Sequence, residues 1–188
     1  MSIEITKFDI KQIKVIVGLG NTGLAYENTR HNVGFEFVDI IKQKFQVNMT
    51  NQKKFQGEIG EIKQFNIKIL KPTTMMNLSG QSVQAVTRFF KISPNQILII
   101  HDDLDIKLGE SKLSFRKGPK VHNGVNNIEK LIHSKNFWRL RIGVENRSTE
   151  TRKFISGADY VLMKMSDEDR KTLQACLNVV LVDIFYSN

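Results

Sequence analysis

Four polar clusters in this chain carry side chains that could do chemistry. Asn21 to His31 is the first (N-T-G-L-A-Y-E-N-T-R-H), Asn77 closes K-P-T-T-M-M-N, and His101 to Asp105 reads H-D-D-L-D. The first three follow apolar strands; the fourth, His122-Asn123, precedes a helix. Histidine is the side chain whose ordinary pKa, about 6.5, suits proton transfer near neutrality. A carboxylate bound to one ring nitrogen fixes the tautomer and supports the imidazolium that forms when the other nitrogen takes a proton. His31 with a carboxylate from H-D-D-L-D is therefore the natural pair. No G-x-S-x-G elbow is present, and without a serine or cysteine nucleophile the pair points to activated water and hydrolysis. The asparagines offer donors and acceptors without charge, suited to amide groups or an oxyanion. A histidine that only hydrogen-bonds its own loop is the other reading of the first cluster.

Asp102, Asp103 and Asp105, joined by His31 or His101, could in principle chelate Mg²⁺. The four histidines have no metal spacing such as H-E-x-x-H, and the expectation is neither metal nor cofactor. Gly18, Gly20 and Gly23 spell G-x-G-x-x-G. A dinucleotide site needs its helix to begin within those glycines. Here the apolar helix period starts at Asn32, nine residues after Gly23.

The elements that must position these groups follow from periodicity. Lys14 to Val17 reads as a buried strand, and a helix over Asn32 to Val47 follows with Asn32 as its N-cap. Gln56 to Ile62 and Phe65 to Leu70 are expected as two strands with a tight connection. A helix then runs through Val83, Val86, Phe89 and Phe90 until Pro94. The apolar run Ile97 to Ile100 suits a central strand buried on both faces and ending at His101. Ser111 to Phe115 and Arg139 to Val144 are expected strands, with a helix from Val125 to Ile132 between them. Tyr160 to Met163 reads as a last short strand, and Asp167 to Phe185 as a helix opened by Ser166 and Asp169. The pattern is α/β: a single domain with a twisted, mostly parallel mixed sheet flanked by helices, one portion being antiparallel.

At 188 residues the chain can bury a sizeable core. Its formal net charge of +9 biases the partner towards an anion, most simply nucleic acid. The single Cys176 excludes an internal disulfide, fits a reducing compartment and sits in an apolar helical pattern as a structural thiol. No apolar run reaches the length of a membrane span, and Met1 to Gln12 lacks the features of a signal peptide. The cytoplasm is the expected location.

Taken together, G-L-G-N-T-G-x-x-Y-x-x-T-R-H-N-x-G, K-P-T-T-M-M-N-x-S-G, H-D-D-L-D, H-N-G and R-L-R-I-G, in this order, resemble bacterial-type peptidyl-tRNA hydrolase. The resemblance covers Ile13 to Leu173 and divides the chain into an N-terminal extension, residues 1–12, and a hydrolase-like domain, residues 13–188. It implies a monomeric α/β enzyme that cleaves the ester between peptide and tRNA, recycling tRNA from aborted translation without metal or cofactor. By position, it implies that His31 is the general base and Asp102 the carboxylate behind it. Asn21 would distinguish blocked from free aminoacyl ends. Tyr26, Met75, Asn77 and Asn123 would contact the substrate, and Arg116 and Arg141 the tRNA phosphates.

The chain departs from the family pattern at several points. Thr22 stands for the usual proline and Met75 for a phenylalanine. The glycine-rich run before H-N-G is about two residues shorter and holds Pro119, Lys120 and Val121. The glycine pair before His122 and the G-R-P after R-L-R-I-G are gone. These changes fall on the phosphate clamp and the gate more than on the chemistry. The alternative they leave open is a non-enzymatic RNA-binding homologue, similar to the splicing factors that share the fold.

Overall fold

The computed structural model describes residues 7–186. Seven strands form one sheet in the order β2-β3-β4-β1-β5-β7-β6. They are β1 (Val15–Gly18), β2 (Thr50–Gln52), β3 (Gly57–Ile62), β4 (Ile67–Pro72), β5 (Ile97–Lys107), β6 (Ser111–Phe115) and β7 (Trp138–Glu145). The four central strands β4, β1, β5 and β7 run parallel. Antiparallel pairing occupies both edges, β2-β3-β4 on one side and β6-β7 on the other. The single antiparallel portion expected from sequence is thus two.

The helices are α1 (Val33–Lys44), α2 (Ser79–Phe89), α3 (Asn123–Ile132), α4 (Thr151–Phe154), α5 (Gly157–Leu162) and α6 (Asp167–Tyr186). The alternation of β5 divides the core. Leu98 and Ile100 join the cluster that includes Phe37 and Ile41 of α1 and Leu177 and Leu181 of α6. Ile97 and Ile99 join the opposite cluster with Val83 and Val86 of α2 and Ile128 of α3. Burial on both faces is why the strand is a continuous apolar run. Cys176 is half-buried beside the first cluster, where burial pushes its thiol pKa up. Among the described residues no helix is long and apolar enough to cross a membrane.

Three local expectations are corrected. First, β5 does not stop at Ile100 but continues through the acidic residues to Lys107, with a register shift against β7 between Asp103 and Lys107. Second, residues 157–162 form a helix and not a strand. The Ser156 side chain accepts from the Asp159 N–H at its start, and Tyr160 and Val161 are buried on one side of it. Third, Asn32 makes no side-chain cap on α1; its amide is engaged elsewhere, as described below. The Ser166 start of the last helix forms, with its hydroxyl accepting from Asp169 N–H. Of the expected N-terminal extension, Phe8 packs on Trp138 with ring centroids 5.1 Å apart, and Ile10 is buried. Residues 1–6 lie outside the described residues.

Gly18 at the end of β1 and Gly20 just after it serve packing. Opposite Gly18 stands Gly34 in the first turn of α1, and a Cβ on Gly34 would collide with Leu19 N and lie 2.5 Å from Ile100 O. The helix can touch the sheet backbone only without that carbon. This close approach brings the loop carrying His31 down onto the end of β5. Gly34→Ala should therefore lower the unfolding free energy by about 1–3 kcal/mol through forced displacement of backbone. A urea titration followed by circular dichroism measures it, and an unchanged midpoint would mean that α1 can stand off without cost.

Candidate active site

The cleft opens where the strand order reverses, at the carboxyl ends of β1 and β5, with β4 on one side of β1 and β5 on the other. Open α/β sheets place ligand sites at such switch points. Its volume is about 560 Å³. Its lining includes His31, Asp102 and His122, the asparagines Asn21, Asn77 and Asn123, and an apolar wall with Leu104, Val121, Val161 and Leu162.

Asp102 is the centre of the polar part. Its Oδ1 accepts from His31 Nδ1 at 2.8 Å and from His122 Nε2 at 2.9 Å. His122 is the N-cap of α3, and its Nδ1 accepts from the Gly124 and Val125 amides at 3.2 and 3.3 Å. With Nδ1 used as an acceptor, the His122 proton sits on Nε2 and points at Asp102. His31 donates from Nδ1, leaving Nε2 as the nitrogen that can take a proton from the cleft. The third ring, His101, donates Nδ1–H to the Asp102 carbonyl at 2.6 Å and packs edge-on against His122, centroids 4.8 Å apart. Burial, with His122 adding to it, holds the His101 pKa down at about 3.

Electrostatics separate the roles of these groups. Burial alone would raise the Asp102 pKa, but the electrostatic pull of the His31 and His122 rings and their hydrogen bonds drives it far below the usual carboxylate range. For His31, burial lowers the pKa, yet the Asp102 charge and hydrogen bond outweigh it and leave the net shift upward. His31 is thus a base strengthened by a permanent anion.

Ligand atoms of His31, Asp102 and His122 lie within 4.8 Å of one another, a spacing compatible with an ion. A metal would require a free lone pair on His122 Nε2, and the α3 amides on Nδ1 leave the proton there. The donor set fits shared protons and does not fit a metal.

Asn21 is held by a residue that sequence reading placed elsewhere. The Asn32 side chain accepts from Asn21 N at 2.8 Å and donates Nδ2 to Asn21 O at 3.0 Å. Asn21 Oδ1 in turn accepts from Met76 N at 2.7 Å. That bond orients the amide, so Nδ2 is the group Asn21 offers to the cleft. Tyr26 and Met75 line the cleft, and Asn77 and Asn123 do so from exposed positions. Arg116 is exposed just beyond β6.

Arg141 is differently placed from the expectation of a phosphate contact. Its Nε donates to Asp103 Oδ2 at 2.6 Å, its side chain is only 12% exposed, and Gly118 lies so close to the guanidinium that no Cβ would fit. Arg139 donates to the Gly118 carbonyl and to Glu129. The shortened loop before His122 is therefore seated on two paired arginines, and Lys120 reaches Asp105 at 3.7 Å across it. His122, Asn32 and Arg139 were not singled out for these roles in the sequence. For His122 a signal existed, since H-N-G before a helix puts the histidine at the N-cap.

A His–Asp pair facing a cleft, with amide side chains and no side-chain nucleophile, on a sheet of this topology, defines a hydrolase that uses water. The family model described as peptidyl-tRNA hydrolase matches residues 15–185, and the chain belongs to that family. A peptidyl-tRNA hydrolase from Dichelobacter nodosus is 44% identical over 168 residues, covering 88% of this chain and 87% of that protein. One from Vesicomyosocius okutanii is 40% identical over 181 residues, covering 94% and 92%. The crystal structure of peptidyl-tRNA hydrolase from Acinetobacter baumannii superposes with a TM-score of 0.83 at 36% identity, covering 95% of this chain and 89% of that one.

The upward shift of His31 is open to direct test. Its ring should titrate above 6.5 by NMR, with the unprotonated base form lost as pH falls through that midpoint. In Asp102→Asn the anion is gone, burial is left unopposed, and the midpoint should move to lower pH. A midpoint that stays in place would show that Asp102 does not govern the imidazole.

Proposed function

We propose that this protein hydrolyses the ester joining a peptide to the 3′ ribose of tRNA, and that His31 is the general base. The observation that carries the reading is the His31 Nδ1 to Asp102 Oδ1 contact of 2.8 Å, which leaves Nε2 for the cleft. In this mechanism His31 Nε2 takes a proton from a water molecule, and the hydroxide attacks the acyl carbonyl. The imidazolium formed is stabilised by Asp102, which His122 keeps in place. When the tetrahedral intermediate collapses, the carbon–oxygen bond to the ribose breaks and His31 returns the proton to the leaving oxygen. The products are a peptide carboxylate and a tRNA 3′ hydroxyl.

Asn77 and Asn123 supply amide groups for the water and for the developing oxyanion. Tyr26 and Met75 flank the substrate, the Met75 thioether replacing a ring contact by a softer one. Arg116, exposed beside the cleft loop, meets tRNA phosphate. Arg141 acts from its place against Asp103, holding the loop and lending its field. The basic balance of the chain matches an RNA partner, and recycling tRNA from aborted translation is work for the cytoplasm. A homologue that kept the fold only to bind RNA would have no use for a buried carboxylate shared by two imidazoles.

His31→Ala should lower kcat on a defined peptidyl-tRNA by about a hundredfold to ten-thousandfold while leaving tRNA binding intact. Single-turnover release of labelled peptide measures it, and turnover near the parent rate would assign the base elsewhere.

Asn21 is the group proposed to spare ordinary aminoacyl-tRNA. With Oδ1 committed to Met76 N–H, it presents a donor. A donor pairs with the carbonyl of a blocked aminoacyl end but gives a free α-ammonium no partner. Asn21→Asp keeps the Met76 contact, removes the donor and adds a charge that welcomes an ammonium. The ratio of kcat/KM on acetylated over free aminoacyl-tRNA should fall in that variant. An unchanged ratio would leave discrimination to Asn77, Asn123 or the cleft shape.

A further inference from the structure

The apolar side of the cleft is provided partly by α5, a helix of only six residues, Gly157–Leu162. So short an element has little stability of its own, and its fastening is unusual. The guanidinium Cζ of Arg30 lies 3.9 Å from the centroid of the Tyr160 ring, and that of Arg147 lies 4.6 Å from it. Tyr160 is itself 5% exposed. Each arginine is anchored by its own carboxylate, Arg30 to Asp169 at 2.7 Å and Arg147 to Glu145 at 2.5 Å.

The same two arginines bracket the helix through the main chain. Arg147 donates to the Ile155 carbonyl at 2.8 Å, just before α5. Arg30 donates to the Met163 and Lys164 carbonyls at 3.3 and 3.4 Å, just after it. Arg30 also adjoins His31, and its neighbour Thr29 forms a β-bridge with Lys164. One aromatic ring therefore joins the loop of the catalytic histidine, the end of β7 and the cleft wall. Main-chain bonds at both ends of the helix and a carboxylate on each arginine hold the wall in place, while Arg30 Nε is buried without a hydrogen-bond partner.

We propose that Tyr160, held by Arg30 and Arg147, is a positioning residue that fixes α5 as the apolar wall for the acyl side chain next to the scissile ester. The proposal rests on the peptidyl-tRNA reading. Val161 and Leu162 of α5, with Leu104 opposite Gly157, form the surface that this side chain would meet. The wall lies beside the reacting groups without belonging to them, so its loosening reaches substrate affinity before it reaches the proton transfers.

The test is steady-state hydrolysis of N-acetyl-leucyl-tRNA and N-acetyl-glycyl-tRNA by the parent protein, Tyr160→Leu and Tyr160→Phe, with thermal melting of each. Tyr160→Leu keeps an apolar side chain but removes the π-face that both cations use. It should raise KM for the leucyl substrate by about three- to tenfold, with kcat within about twofold and a smaller effect on the glycyl substrate. Tyr160→Phe retains the ring and should restore the parent KM. Three results would overturn the proposal: a lower melting temperature with unchanged KM, an equal rise for both substrates, or a Tyr160→Phe variant as impaired as Tyr160→Leu. Should Tyr160→Leu fail to fold, the double variant Glu145→Gln/Arg147→Met removes one cation together with its carboxylate. The leucyl KM must rise there too, and an unchanged value overturns the proposal. Absence of peptide release by the parent protein would instead reject the activity itself.

Discussion

An ion removed from water costs several kcal/mol unless partners replace its hydration, and Asp102 is almost wholly removed from water. Much of the surrounding architecture can be understood as the replacement. One partner, His31, comes from the loop after β1, and that loop reaches Asp102 because α1 sits directly on glycine backbone. The other, His122, arrives from the opposite side at the start of α3, its orientation set by two helix amides. His101 braces both the Asp102 backbone and the His122 ring. The three imidazoles are not equivalent. Only His31 combines a ring nitrogen open to the cleft with an anion behind it, so the same burial that is costly for Asp102 raises the basicity of a single histidine.

The central strands were legible because burial on both faces leaves a short unbroken apolar run, as at Ile97 to Ile100, which neither a half-exposed helix nor a loop would carry. Segments with mixed patterns misled. Tyr160 to Met163 is four residues long and apolar, a length at which strand and helix cannot be told apart by periodicity. The Ser156 and Asp159 pair that starts α5 carried the deciding signal. The end of β5 was hidden for another reason. Three aspartates in four residues read as a turn, and only distant partners, His31 and His122 for Asp102 and Arg141 for Asp103, let the strand bury the first two while Asp105 stays exposed. Local sequence holds no trace of such pairings. The motifs at His31, Asp102 and the asparagines named the site by resemblance. The reciprocal amide lock of Asn32 on Asn21 belonged to the geometry alone.

The basic character of the chain also divides in two. Arg30, Arg139, Arg141 and Arg147 are each bound to a carboxylate, from Asp169, Glu129, Asp103 and Glu145 respectively. Such pairs, shielded from solvent, respond weakly to salt, and they act as fasteners for loops and the cleft wall. The charge left to attract RNA lies on exposed residues, Arg116, Lys117 and Lys120 beside the cleft among them. Net charge read from sequence adds these two populations together, although only one of them faces a polyanion.

In β5 three consecutive residues serve three different masters. Asp102 answers to the histidines, Asp103 to Arg141 and its loop, and Leu104 to the helix across the cleft. Side chains alternate along a strand, so inserting or deleting one residue upstream would send every one of them to the wrong side. This makes the length of β5 a constraint set by the site, whatever happens to the loops around it. The run before His122 and the segment after β7, where this chain departs from the pattern it otherwise resembles, both lie outside that stretch. An aligned set of relatives should therefore show gaps gathering at residues 116–121 and 146–156, and none between Ile97 and Leu104.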